Sequence, residues 1–259
     1  MHLFMSLGPI IEKVLKGEIS NGVTLMESVR EHGVSGIEIN LGITSKLQFT
    51  DLGLNKFRGQ VSFHSDHREF NLASMNKYIR EASILQLVDE IKLADKLEVT
   101  HLTFHPGRES KYLIRSQSMK TFWSSLQIVF DHVGVFQTTL CLENMDSTPN
   151  KLCRTMKEVS ETLDRFPSLN LTCDFAHLAQ NNINSGTFID RFTDRIKHIH
   201  ASGVVSGKSH GNTSLKESMV NMMPTLLRFA DQDITIVIEN NTSEILQESL
   251  SMFTSSKPL

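Results

Sequence analysis

The stretch THLTFHPGRE (residues 100–109) sets Leu102 and Phe104 on one side of an extended chain and His101, Thr103 and His105 on the other. A period of two marks a β-strand whose faces meet different surroundings. Pro106-Gly107 stops the strand directly after an imidazole. Seven further runs share this form: HLFMSL (2–7), GIEINL (36–41), QVSFH (60–64), TTLCLE (138–143), LNLTCD (169–174), IKHIH (196–200) and ITIVIE (234–239). Segments with helical spacing of apolar residues lie between them, over 75–97, 118–133, 152–166, 187–194, 214–230 and 243–253. In the first, Ile79, Ile84, Leu87, Val88, Ile91 and Ala94 share a face, and Pro224 is expected to kink or divide the 214–230 helix. Strand–helix alternation implies parallel pairing through right-handed crossovers, and eight such units close as a (β/α)8 TIM barrel, read here as one domain over residues 1–259. An open doubly wound sheet fits less well, because no Gly-rich phosphate turn follows the first strand.

Composition narrows the function classes. The 259 residues carry a formal charge of −3, which argues against nucleic acid or an anionic membrane surface as the main partner. No apolar run nears the ~18 residues that cross a bilayer. The opening MHLFMSLGPIIEKVLKGE (1–18) lacks the basic start of a secretory leader and meets Glu12 early. Cys141, Cys153 and Cys173 have no paired spacing, so reduced, buried thiols in a cytoplasmic protein are expected. These features leave a homo-oligomer open.

Strand parity locates the chemistry. Val61 and Phe63 oppose Ser62 and His64; Leu140 and Leu142 oppose Thr139, Cys141 and Glu143; Leu171 and Cys173 oppose Thr172 and Asp174. Ile199 opposes His198 and His200, Ile236 and Ile238 oppose Thr235, Val237 and Glu239, and Ile37 and Ile39 oppose Glu38 and Asn40. One face is large and apolar, suited to lie beneath helices. The other is smaller and more polar, and in most strands ends in His, Asp or Glu. In a parallel barrel this second face points inward, and its last residue sits at the carboxyl rim, where such barrels place their chemistry. The first strand shows no such polarity, and no site residue is expected from it. Carboxylates and imidazoles gathered at one rim are costly to desolvate unless a cation neutralises them. Each residue type is a ligand for a divalent metal.

With these residues in place, the chain resembles the xylose isomerase-like barrels, which include sugar isomerases and epimerases as well as endonuclease IV. LENMD (142–146), CDFAH (173–177), HIHASG (198–203) and VIEN (237–240) carry the likeness on strands five to eight. The resemblance implies that Glu143, Asp174, His200 and Glu239 hold one divalent metal, whether Mn, Zn, Mg or Co. SFHSD (62–66) and FHPG (104–107) look like the endonuclease IV motifs on strands three and four. They imply a second ion on His64 and His105, with Glu143 bridging. A third ion there uses the histidine of Asp-x-x-His, matched by His177, and a later Asp-x-His. In GKSHG (207–211), His210 matches that later histidine but Lys208 stands in the aspartate's place. One or two ions are therefore expected.

The remaining polar residues divide by position. His177, Lys208 and Glu38 are read as substrate contacts, with a buried structural partner as the competing role for Glu38. His101 and His198, deeper in the inward set, are read as core imidazoles. His2, His32, His67 and His132 carry no signal, and Arg108, Lys111 and Arg115 are read as a solvated loop. The Gly- and Ser-rich GVVSGKSHGN (203–212) is read as a lid.

Two reactions use this set differently. In the first, Glu143 and Glu239 act as the catalytic pair, moving a proton on a sugar, sugar phosphate or polyol through an enediolate stabilised by the metal. In the second, water attacks a phosphodiester of abasic DNA, as in endonuclease IV. Around the rim Lys46, Arg68, Arg108, Lys111, Lys151, Arg154 and Lys208 are interleaved with Asp66, Glu69, Glu109 and Asp146, short of the basic surface DNA requires. Isomerase or epimerase chemistry on a carbohydrate therefore comes first and endonuclease IV-like hydrolysis second. Dehydratase or lyase chemistry and a non-catalytic ligand-binding barrel are further alternatives.

Overall fold

The structure, a computed structural model, describes residues 1–42, 53–68, 70–109, 114–206 and 210–254. Eight strands, β1 (His2–Ser6), β2 (Gly36–Asn40), β3 (Val61–His64), β4 (His101–Phe104), β5 (Thr139–Glu143), β6 (Asn170–Asp174), β7 (Ile196–Ala201) and β8 (Thr235–Ile238), follow one another in chain order around a closed barrel. All pairs are parallel, and β1 closes the ring onto β8 with His2 opposite Thr235. Every run with strand parity holds a strand, trimmed by at most two residues.

The helices are α1 (Ile11–Leu15), α2 (Gly22–Glu31), α3 (Lys77–Lys96), α4 (Arg115–Val133), α5 (Met156–Arg165), α6 (Phe175–Gln180), α7 (Ser185–Phe192), α8 (Met223–Leu226) and α9 (Ser243–Thr254). Local chemistry sets their starts. The Asn21 side chain accepts the amides of Val23 and Thr24, and the Thr24 hydroxyl side chain reaches back to Asn21, a capping box that opens α2. In α3, Ile84, Leu87, Val88, Ile91 and Ala94 are buried as expected, whereas Ile79, in the first turn, is 44% exposed.

The helix expected over 214–230 does not form as such. Only α8 and a 3-10 turn over Leu227–Phe229 are helical there. Pro224 sits in the first turn of α8, where its missing N–H sacrifices no intrahelical bond. Upstream, side chains capture the backbone: the Leu215 amide donates to Ser249 Oγ (2.9 Å) and the Glu217 amide to Ser214 Oγ (3.2 Å).

The apolar strand faces and the helices enclose a core that includes Ile37, Ile39, Phe63, Leu102, Phe104, Leu140, Leu142 and Leu171. The polar faces turn inward. Thr103 and Thr172, on strands that are not neighbours, bond at 2.7 Å, a contact available only through the barrel interior. In β1, Phe4 lies opposite Gly36, and a Cβ on Gly36 would fall 2.4 Å from the Phe4 ring. Glycine at 36 thus makes room for the aromatic floor of the barrel. Cys141, Cys153 and Cys173 are free and buried. Among the described residues, no helix is long and apolar enough to cross a membrane.

Candidate metal centre

Glu143 ends β5 at the centre of the carboxyl rim, and its side chain is only 2% exposed. Its two oxygens face different imidazoles. Oε2 lies 3.2 Å from His64 Nε2 and 2.7 Å from His105 Nε2. Oε1 lies 3.2 Å from His177 Nδ1 and 3.5 Å from His200 Nδ1. Glu239 Oε1 stands 3.3 Å from the same His200 nitrogen. Asp174 caps α6 by accepting the His177 amide at Oδ1 (2.7 Å), while its buried Oδ2 makes no hydrogen bond and lies 3.4 Å from His177 Nδ1. Register explains the convergence: Asp174 lies opposite His200, and Glu143 opposite Thr172 on the adjoining strand.

Beneath this layer lies Glu38, level with Ser62 and therefore one inward layer below His64. It accepts Nε2–H of His198 at 2.8 Å and of His200 at 3.0 Å. Donation from His200 Nε2 leaves its Nδ1 lone pair facing the oxygens of Glu143 and Glu239, and that buried Nδ1 makes no hydrogen bond. His64 is oriented in the same way: its Nδ1–H donates to Ser65 O at 2.8 Å, which aims Nε2 at Glu143 Oε2, 3.2 Å away, where it would become a ligand nitrogen once a cation replaced its proton. A lone pair aimed at a carboxylate oxygen is repulsive without a cation between them. An imidazole whose second nitrogen is held by a carboxylate or carbonyl is also how proteins prepare a histidine for metal. The donors present therefore fit a divalent ion. Groups with one ligand atom each within 4.8 Å of one another include His64–Glu143–His200, Glu143–Asp174–His177 and Asp174–His200–Glu239.

Protons take the cation's part when metal is lacking. Burial opposes charge on His64, yet Glu143 raises its pKa to about 9; burial opposes it on His177, yet Asp174 and Glu143 raise it to about 9. His200 is likewise raised, against burial, by Glu239 and Glu38. Burial dominates at His105 and lowers it to about 4. Burial would raise Glu143, but His105, His177 and His200 hold its carboxyl well below the usual range.

Most of the expected residues meet here: Glu143, Asp174, His200, Glu239, His64, His105, His177 and Glu38. His177 commits Nδ1–H to Asn144 O (2.9 Å), which leaves Nε2 toward Asp146, 3.9 Å away. His101 stacks on His198, with ring centroids 5.1 Å apart. Lys208 lies outside the described residues, as do Lys46, Glu69 and Lys111 and the 207–209 part of the expected lid. His210 opens a 3-10 turn, His210–Asn212. Arg115 is not a solvated loop residue: it opens α4, pairs with Glu158 and Glu109, and donates to the carbonyls of Pro149 and Lys151. Residues without a sequence signal also join the site, Ser6 and His67 among them. Ser6 of β1 lines the cavity, legible only once its register with Glu38 is known. His67 stands on the loop after β3 with its ring 4.7 Å from that of His105. The cavity holds about 300 Å³ and is also lined by Asn40, Arg68, Lys151 and Asn241.

A family model described as xylose isomerase-like TIM barrel matches residues 26–255. By sequence, an uncharacterized protein of Methanocaldococcus jannaschii is 30% identical over 183 residues, which cover 70% of this chain and 66% of that protein. A probable endonuclease 4 of Aquifex aeolicus is 30% identical over 139 residues, 51% of this chain and 49% of that protein. The chain thus spans less than two thirds of the length of these relatives. Among solved structures, a D-tagatose 3-epimerase-like protein superposes with a TM-score of 0.80 at 22% identity, over 98% of this chain and 96% of the other. At that identity the likeness speaks for the fold.

Proposed function

We propose, on the premise that this chain belongs to the xylose isomerase-like TIM barrel family, that it is a divalent-metal-dependent phosphoester hydrolase whose Glu143 joins two ions. The observation that carries this reading is the division of Glu143, one oxygen toward His64 and His105 and the other toward His177 and His200. With both oxygens turned onto imidazoles that could carry ions, Glu143 has the geometry of a bridging ligand, and neither oxygen is left free to take a proton from a substrate carbon. This moves the weight from enediolate chemistry to hydrolysis.

In this reading His64, His105 and Glu143 would hold one ion, and Glu143, Asp174, His200 and Glu239 the other, and such ions would supply Lewis acidity toward water and the phosphoryl oxygens. The chain's own residues do the rest. Glu38 fixes the tautomer and orientation of His200. Arg68 and Lys151 bring positive charge to the cavity wall and suit an anionic substrate, with Lys151 held by Asp146 at 2.6 Å. The similarity to a probable endonuclease 4 supports phosphodiester bonds as the substrate class.

Carbohydrate isomerisation or epimerisation is the second reading. The likeness to a D-tagatose 3-epimerase-like protein over nearly the whole chain favours it, as does Lys208 in place of an aspartate. The test runs both reactions on protein loaded with Zn²⁺, Mn²⁺ or Co²⁺. One arm follows cleavage of bis-p-nitrophenyl phosphate and of an abasic-site duplex across a salt series; the other follows solvent deuterium entering ketohexoses. Hydrolysis without exchange is expected. Exchange without hydrolysis would establish the second reading in its place.

A further inference from the structure

We infer that His67 is a third imidazole ligand of the ion held by His64 and His105, making this half of the centre a three-nitrogen, one-carboxylate site that prefers zinc-like transition metals to magnesium. The inference rests on the two-ion reading above.

Three rings form a nearly equilateral group: His64 to His105 at 5.0 Å, His67 to His105 at 4.7 Å and His67 to His64 at 5.4 Å between centroids. One ring nitrogen from each lies within 4.8 Å of the others. Zinc–nitrogen bonds of about 2.0–2.1 Å in a tetrahedron set the nitrogens about 3.3 Å apart, so closure asks for ring movements of about an ångström. Glu143 Oε2, already facing His64 and His105, supplies the fourth donor.

The loop that carries His67 is built to hold it. On one side, the Asp66 amide donates to Glu90 Oε1 of α3 (3.2 Å), and Gln86 Nε2 donates to the Asp66 carbonyl (3.3 Å). On the other, the Arg68 amide donates to Asp66 Oδ1 (3.0 Å). Glu90 is buried, so this anchor is part of the packed structure. Gly42 lets the Asp66 carboxylate in, since a Cβ there would fall 2.3 Å from Oδ1. Asn40 Nδ2 approaches His67 Nδ1 only to 3.5 Å, too far to fix the tautomer, so the ring can present a lone pair to an ion. Imidazole-rich sets select zinc or cobalt, whereas magnesium prefers oxygen ligands.

The experiment compares the full-length chain with His67→Ala, His67→Gln and, as a reference, His105→Ala. Each is stripped with chelator and titrated with Zn²⁺ and with Co²⁺, following stoichiometry, affinity against a competing chelator and the Co²⁺ d–d absorption. The expected result is two equivalents on the wild type and one intact site in both His67 variants. Their second site should be weakened beyond the 10–100-fold that outer-shell partners typically cost, with loss of tetrahedral Co²⁺ intensity. Metal-free melting curves matching the wild type show that the fold is kept. A second equivalent bound with wild-type affinity and spectrum in both His67 variants, while His105→Ala loses it, overturns the inference alone. A wild type that binds fewer than two equivalents overturns the two-ion reading beneath it.

Discussion

Glu38→Gln is a small change in shape with a large expected effect on metal. Glu38 is 3% exposed and accepts from His198 Nε2 at 2.8 Å and His200 Nε2 at 3.0 Å. Burial disfavours its charge, but His200 and His198 hold its carboxyl well below the usual range. In the variant, one acceptor oxygen is replaced by an amide donor. If the amide oxygen keeps His198, the amide nitrogen meets His200 Nε2 and demands a lone pair there. The His200 proton then moves to Nδ1, the atom facing Glu143 and Glu239. Restoring the ligating tautomer leaves a buried donor unpaired, and the negative charge behind the imidazole is gone. Outer-shell changes of this kind typically cost 10–100-fold in affinity, about 1.4–2.7 kcal/mol. The assay is calorimetric titration of metal-free Glu38→Gln with Zn²⁺ in the presence of a competing chelator. One site should weaken by that factor while the His64–His105 site stays unchanged. Affinity within about twofold of wild type at both sites, in a variant that melts normally, would refute the reasoning.

Three further outcomes are expected. Glu143→Gln should lose both ions and phosphodiester cleavage; because it strips a buried partner from several imidazoles, the metal-free protein should also lose about 3 kcal/mol in urea unfolding at pH 6. The raised pKa values of His64 and His177 give the metal-free protein stability that is fully present below about pH 6.5 and fades as pH climbs through about 9. Denaturant midpoints in chelator should therefore fall between pH 7 and 9.5, while the metal-loaded protein, whose histidines are held unprotonated, should show no such decline. Gly36→Ala puts a methyl 2.4 Å from the Phe4 ring and 2.5 Å from the Gln60 carbonyl, and should cost about 1–3 kcal/mol by thermal or chemical denaturation. Phe4→Leu should relieve only part of that, since the carbonyl stays.

Strand parity made the barrel legible because each face of a barrel strand meets a different medium, and this leaves a period-two record in seven of the eight runs, β1 being the exception. The same parity placed Glu143, Asp174, His200 and Glu239 on the inward set, and the structure brings them to one rim. Depth left no such record. Glu38 and His64 share the inward set, but only the stagger between neighbouring strands shows that Glu38 lies a layer lower, where it meets imidazoles as well as the cavity. Ser6 was hidden for a related reason: β1 packs Phe4 inward as a floor, so its polarity does not alternate. His67 sits on a loop, where position follows from hydrogen bonds to Asp66 rather than from any period. Over 214–230, apolar spacing suggested a helix, yet Ser214 and Ser249 take the amides a helix would have used.

The most direct test of the central claim, that Glu143 joins two cations at the mouth of the barrel, is an anomalous-scattering map of crystals grown with Zn²⁺. Two peaks are predicted, one among His64, His105 and Glu143 and the other among Glu143, Asp174, His200 and Glu239. A single peak confined to the second group, with His64 and His105 still turned onto the Glu143 carboxylate, would contradict it.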